Sequence, residues 1–284
     1  MTIPTRPFAT AALAAASLTL TAATTTHAQQ GPAELWVWGG ASSAEAIVAF
    51  DETGDVSTGT IVATTPTFNI PEIEFIGDSF VLVQNNNGAV EVIDAVTGVL
   101  TSTVAASYPG SAVGASAITG MEFVNGTLYA AGTQSGGGIG SEIGTLDPLT
   151  GVYTPIGVTG LSDPISGLAW DGSTMYAVNG GGGDGALYTI DLTTGAATFV
   201  IDLTGDSDEY AGLEFGADGV LYAVLNGDQD FGSIDINTGV YTGIGSFSGL
   251  TGGSNAITST FLVPEPTSLA LLALGGLLAA RRRR

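Results

Sequence analysis

One short signature, Asp-x-x-Thr-Gly, returns along most of this 284-residue chain and constrains what it can fold into. It stands at Asp94-Thr97-Gly98, Asp147-Thr150-Gly151, Asp191-Thr194-Gly195 and Asp235-Thr238-Gly239, with a shortened copy at Asp51-Glu52-Thr53-Gly54. Successive Asp residues are 43, 53, 44 and 44 positions apart, and the long interval holds the Ala/Ser/Gly-rich stretch 105–117. Turn chemistry accounts for the motif. The Asp side chain caps its own turn, and Gly takes the positive φ that closes a hairpin of three to five residues. A repeat of this period cannot bury its apolar face alone and must stack on its copies.

The units align well beyond the turn. Residues 165–202 read ISGLAW, MYAVN, ALYTID and AATFVID between turns, and residues 210–245 repeat the scheme with YAGLEF, LYAVL, FGSIDI and VYTGIG. Each unit holds four short β-branched and aromatic runs separated by Gly, Asn and Asp, and none has a 3.6-residue apolar period. Four strands per unit and five units predict an all-β body over residues 29–261, a β-propeller of five four-stranded blades. A β-solenoid or sandwich is the rival. The first unit lacks its opening strand and begins at Leu35-Trp36-Val37-Trp38, equivalent to Met175-Tyr176-Ala177-Val178, while the segment Ala256 to Phe261 is a spare opening strand. Pairing them predicts ring closure by a blade shared between the termini, which removes exposed sheet edges. These Asp-x-x-Thr-Gly blades resemble those of the YVTN and quinoprotein-like propeller families.

Charge excludes whole classes of function. The five basic residues are Arg6 and Arg281 to Arg284, there is no Lys or Cys, and the single His is His27. The segment from Gln29 to Val263 thus carries 26 carboxylates and no cationic side chain. Such a surface cannot neutralise phosphates, so nucleic acid is excluded as a partner. Cys nucleophiles, Lys Schiff bases, Ser-His-Asp triads and zinc-histidine sites are unavailable.

The ends read as export and sorting segments. Arg6, the apolar run Phe8 to Leu20 and the small residues before Gln29 predict a signal peptide over 1–28, an N-terminal helix that signal peptidase cleaves between Ala28 and Gln29. The last segment, 262–284, contains Val263-Pro264-Glu265-Pro266, an apolar run from Ser268 to Ala280, and Arg281, Arg282, Arg283 and Arg284. The prolines stop incoming structure, and the apolar run predicts a short hydrophobic helix of about 20 Å, brief against a hydrocarbon core of about 30 Å. The four arginines form a cytoplasmic stop. Pro-Glu-Pro, apolar helix and Arg cluster in that order resemble the PEP-CTERM sorting signal. The resemblance implies recognition of Pro264, Glu265 and Pro266 by an exosortase, a membrane transpeptidase-like enzyme of Gram-negative bacteria that also make exopolysaccharide. It implies a transient form inserted in the inner membrane, processed near the Pro-Glu-Pro motif and then released or attached at the cell surface.

Two places could carry chemistry. Glu74, Glu122 and Glu214 share one register on the opening strands (IEF, MEF, LEF), with Ala169 and Thr260 assigned to it in the other units. Opening strands line the central channel of a propeller, so three carboxylates are expected to converge there. Without a cationic partner they are solvated, hydrogen-bonded to backbone N–H groups, protonated, or bound to an external cation, for which Ca²⁺ is the natural ion. The second place is the set of Gly- and amide-rich loops between second and third strands: 84–87, 134–140, 179–185 and 226–232. There Asn226, Asp228 and Asp230 have the alternate spacing of a calcium loop, but Phe231 replaces the usual Gly and Asn237 the closing Glu. No resident cofactor is implied beyond such a Ca²⁺.

Three functional readings follow. The first is a non-catalytic surface or extracellular-matrix protein sorted by its tail. The second is a secreted binding module for polysaccharide or a calcium-bridged partner. The third is a carboxylate-based glycan hydrolase, since paired carboxyls suffice for acid–base chemistry on sugars. Uncompensated negative charge also repels itself, and salt screens that repulsion. The thermal midpoint is therefore expected to rise between low and high salt; a scanning-calorimetry series in NaCl checks this.

Overall fold

The computed structural model describes residues 35–259 apart from 42–43, 51–59, 66–71, 85–87, 135–139, 180–184, 206–207, 227–229 and 247–253. The expected signal segment 1–28 and sorting tail 262–284, with the helix expected in each, lie outside the described residues. Among the described residues no helix is long and apolar enough to cross a membrane.

The described residues form strands joined by turns. The first sheet contains β1 (Leu35–Ala41), β2 (Ala44–Phe50) and β3 (Thr60–Thr65). The second contains β4 (Glu72–Ile76), β5 (Ser79–Val83), β6 (Ala89–Asp94) and β7 (Leu100–Ala105). The third contains β8 (Ala117–Val124), β9 (Thr127–Thr133), β10 (Ser141–Leu146) and β11 (Tyr153–Val158). The fourth contains β12 (Ile165–Trp170), β13 (Met175–Asn179), β14 (Ala186–Ile190) and β15 (Ala197–Asp202). The fifth contains β16 (Glu209–Phe215), β17 (Leu221–Asn226), β18 (Asp230–Ile234) and β19 (Tyr241–Ser246). Finally β20 (Ser254–Ser259) returns to the first sheet and pairs antiparallel with β1, Trp36 opposite Thr258, giving the order β20-β1-β2-β3.

Each sheet is four-stranded and antiparallel, and the second to fifth are simple meanders of consecutive strands. The inner strands β4, β8, β12, β16 and β20 lie each against the next, and β20 lies against β4. That closed ring makes the body a β-propeller; a solenoid would leave two open ends, and a sandwich would set two sheets face to face.

The Asp-x-x-Thr-Gly turns join third and fourth strands. Asp94 Oδ1 accepts hydrogen bonds from the N–H of Val96 at 3.1 Å and of Thr97 at 2.7 Å, and from the Thr97 hydroxyl at 2.7 Å. Gly98, at φ 68°, returns its N–H to Asp94 O at 2.8 Å. Asp147, Asp191 and Asp235 make equivalent turns. The Gly serves twice, because a Cβ on Gly151, Gly195 or Gly239 would fall on a backbone oxygen of the preceding sheet: Ala105, Gly157 or Asp202 respectively.

Apolar cores fill the gaps between neighbouring sheets. Val178 and Leu187 of the fourth pack with Leu213, Ala223 and Tyr241 of the fifth. Val81 and Val90 of the second pack with Met121, Leu128 and Ala130 of the third. Leu35, Val37 and Ile257 seal the shared sheet against Val224 and Phe231. Each fully buried side chain of this size contributes about 1.5–3 kcal/mol.

Near the axis the inner strands crowd together. Gly120, Gly167, Gly212 and Ala256 occupy one register. A Cβ on Gly167 would sit 2.7 Å from Leu213 N and 3.0 Å from Gly212 C, whereas one on Gly120 would meet the Leu168 Cγ at 3.2 Å and Gly167 C at 3.3 Å. Overpacking against fixed backbone costs more than against a side chain that can shift. Gly167→Ala is therefore expected to cost about 1–3 kcal/mol and Gly120→Ala less, as read from urea denaturation midpoints.

Candidate functional site

An inner strand is the edge of its sheet, so one row of its N–H groups faces the axis without a ladder partner. Side chains at the next register up meet these donors. Glu74 Oε1 accepts the N–H of Phe123, in the next sheet, at 3.0 Å. Glu122 accepts the N–H of Trp170, again one sheet on. Glu214 accepts the N–H of Ser259 and, at 3.2 Å, its hydroxyl. Thr258 Oγ1 accepts the N–H of Phe75 at 3.0 Å and donates to Glu74 Oε2 at 3.2 Å, returning the belt to its start. Ala169 has no acceptor to offer. The donor it would have served, Phe215 N–H, bonds instead to Glu214 Oε1 at 3.0 Å.

The belt gathers charge as it satisfies donors. One carboxylate oxygen from each of Glu74, Glu122 and Glu214 lies within 4.8 Å of the others. The three side chains are only 5, 6 and 5 % exposed, so solvation by bulk water is not what balances them. A fourth carboxylate, Glu72 at 2 % exposure, stands on β4 at the register held elsewhere by Gly120, Gly167, Gly212 and Ala256. Its Oε1 accepts its neighbour Ile73 N–H at 3.3 Å, while Glu72 Oε2 and Glu122 Oε2 are buried without a hydrogen-bond partner.

Burial raises the affinity of all four for protons, with mutual repulsion adding to it at Glu72, Glu74 and Glu122. Glu214 is pushed up to about 8, chiefly by burial, against the pull of its bonds to Ser259 and Phe215. The turn residues Asp94, Asp147, Asp191 and Asp235 move the other way, because hydroxyl and amide donors favour their charged forms.

The structure brings Glu74, Glu122 and Glu214 together but corrects the fifth position of their register. Thr258, opposite Trp36, occupies it; the sequence assignment to Thr260 is two residues too far along. Thr260 itself lies outside the described residues. Glu72 was missed, although a Glu at a register otherwise held by Gly and Ala was a readable signal. In the loop candidate, Asn226 ends β17 and is exposed, Asp230 opens β18, and Asp228 lies outside the described residues. The loops 84–87, 134–140 and 179–185 are described only at their bases, where Asn179 Oδ1 accepts the Ala186 N–H at 2.7 Å. Ala28, Gln29, Pro264, Glu265, Pro266 and Arg281 to Arg284 also lie outside the described residues.

A carboxyl with a raised folded-state pKa binds its proton more tightly folded than unfolded. Its contribution is complete below the unfolded value of about 4.3 and is lost as pH rises through the folded value. For Glu214 that window runs from about 4.3 up to about 8. In chelator, stability is expected to fall from pH 5 to pH 8.5, and Glu214→Gln to flatten the decline. Urea denaturation across that range measures both.

No curated protein matches the chain. Among solved structures, a chain of the nidogen/laminin complex superposes with a TM-score of 0.54 at 11 % identity, over 81 % of this chain and 99 % of that one. A protein of unknown function from Bacteroides caccae gives 0.45 at 12 % identity, over 74 % of this chain and 72 % of that one. Hydrazine synthase from Kuenenia stuttgartiensis gives 0.41 at 20 % identity, covering 65 % of this chain, which spans about half (51 %) of that one. At these identities the nidogen/laminin likeness speaks for the fold alone, and the two lower scores carry no argument. The C-terminus is specific: residues 262–284 match the family described as the PEP-CTERM protein-sorting motif, so the chain carries a PEP-CTERM sorting signal behind a β-propeller.

Proposed function

We propose that this is an exported, non-catalytic protein of the cell surface or extracellular matrix, delivered by exosortase processing of its tail. The observation that carries the reading is the sorting motif at 262–284. It also supports export, since the motif acts on chains that have reached the membrane. The inner membrane holds the precursor briefly, with Ser268 to Ala280 inserted and Arg281 to Arg284 on the cytoplasmic side. Composition agrees with a non-catalytic role, because the segment 29–263 offers no Cys, His, Lys or Arg for chemistry. Signal peptidase and an exosortase are the processing partners.

A binding role is the second reading, and topology favours it. In the second to fifth sheets the second strand ends and the third begins at the same end of the propeller, so the described bases Gln84 and Gly88, Gln134 and Gly140, Asn179 and Gly185, and Asn226 and Asp230 share that end. That end is where an exopolysaccharide or a calcium-bridged partner would dock.

Intact mass of the protein from an exosortase-bearing host tests the first reading. The mature chain is expected to begin at Gln29 and to lack Arg281 to Arg284. Pro264→Ala with Glu265→Ala is expected to leave the precursor in the membrane fraction. A mature chain that keeps its four arginines in the unaltered protein would overturn sorting by the tail.

A further inference from the structure

We propose that the hub of the propeller is a divalent-cation site, selective for Ca²⁺ over Mg²⁺, in which Glu74, Glu122 and Glu214 are ligands and Glu72 supplies further negative charge. The site goes beyond the surface-protein reading and stands whether or not the tail is processed.

The three ligand oxygens lie within 4.8 Å of one another, close enough to share one ion at a Ca–O distance of about 2.4 Å. Carboxylates drawn from three separate sheets suit the irregular six- to eight-oxygen shell of Ca²⁺ better than the near-ideal octahedron and reluctant dehydration of Mg²⁺. Every donor is a hard oxygen, with no nitrogen or sulfur to favour zinc or copper. Two carboxylate oxygens here, Glu122 Oε2 and Glu72 Oε2, are buried without a partner. Buried polar atoms are nearly always satisfied, and leaving a charged one unmade is costly. The chain offers no cationic side chain between Gln29 and Val263 to meet them.

The belt also prepares the ligands. Phe123 N–H and the Thr258 hydroxyl hold Glu74, and Phe215 N–H with the Ser259 hydroxyl holds Glu214, so the carboxylates are fixed before an ion arrives. Outer hydrogen bonds of this kind orient metal ligands and raise affinity. A dication offsets two of the four negative charges and joins strands β4, β8 and β16, with water completing the six to eight oxygens that Ca²⁺ accepts.

The test uses the full-length chain stripped with EDTA. Calorimetric titration with CaCl₂ and with MgCl₂ at fixed ionic strength, native mass spectrometry and thermal melts are run on each variant. One tightly held Ca²⁺ per chain and a raised melting temperature are expected, with a weaker Mg²⁺ response. Glu122→Gln, and Glu122→Gln with Glu214→Gln, are expected to weaken Ca²⁺ binding at least about tenfold. In chelator these variants should melt no lower than the unaltered protein, since Gln keeps an acceptor for the backbone and removes buried charge. Asp228→Asn with Asp230→Asn should leave binding unchanged. Absence of stoichiometric Ca²⁺ binding would overturn the proposal, as would unchanged affinity in Glu122→Gln or loss confined to the Asp228/Asp230 variant. If the double variant fails to fold, the Glu122→Gln titration decides alone.

Discussion

The structure depends on how the free edges of its inner strands are satisfied. A propeller places the first strand of every sheet against the axis, where its outward N–H groups have neither a ladder partner nor room for much water. Here the donors of Phe75, Phe123, Trp170, Phe215 and Ser259 are met by four side chains: Thr258, Glu74, Glu122, and Glu214, which takes the last two. Most of these bonds cross from one sheet to the next. The same bonds that satisfy backbone also fasten neighbouring blades.

The arrangement carries an electrostatic cost. An acceptor able to reach the neighbouring N–H while filling little space near the axis is a carboxylate or a hydroxyl, and three sheets use Glu. Desolvation raises the proton affinity of these carboxyls, and the crowding of like charges raises it further. Ala169 limits this crowding: a fourth Glu at that position would add another buried charge, and its absence is compensated when Glu214 takes the neighbouring donor itself. Outside the hub, the turn aspartates work in the opposite sense, exposed and stabilised as anions by local donors.

Much of this was legible in the sequence, and the failures have physical reasons. The Asp-x-x-Thr-Gly turns were readable because side-chain capping and a positive-φ Gly are local requirements, written in contiguous residues. Ring closure was readable because one strand was missing at the start and one was spare at the end. The convergence of Glu74, Glu122 and Glu214 followed from register. Thr258 was misplaced because the aromatic that follows the belt position elsewhere (Phe75, Phe123, Trp170, Phe215) is replaced in the last strand by Ser259, whose hydroxyl binds Glu214. Aligning Phe261 with those aromatics slid the strand by two. That the carboxylates would be buried and held by backbone amides was one of several options in the sequence, and only three-dimensional placement could choose among them.

The clasp between β1 and β20 has a temporal consequence. β20 is the last strand to be made, and its partner β1 begins at Leu35, so the sheet that seals the ring draws on chain ends more than two hundred residues apart. Contacts of such long sequence separation form slowly and late. During synthesis and passage across a membrane, every earlier sheet exists without its seal, and the hub lacks Thr258 and Ser259 until the end. Only four residues then separate Ser259 from Pro264. A chain built this way reaches its sorting signal at nearly the moment its body first becomes able to close.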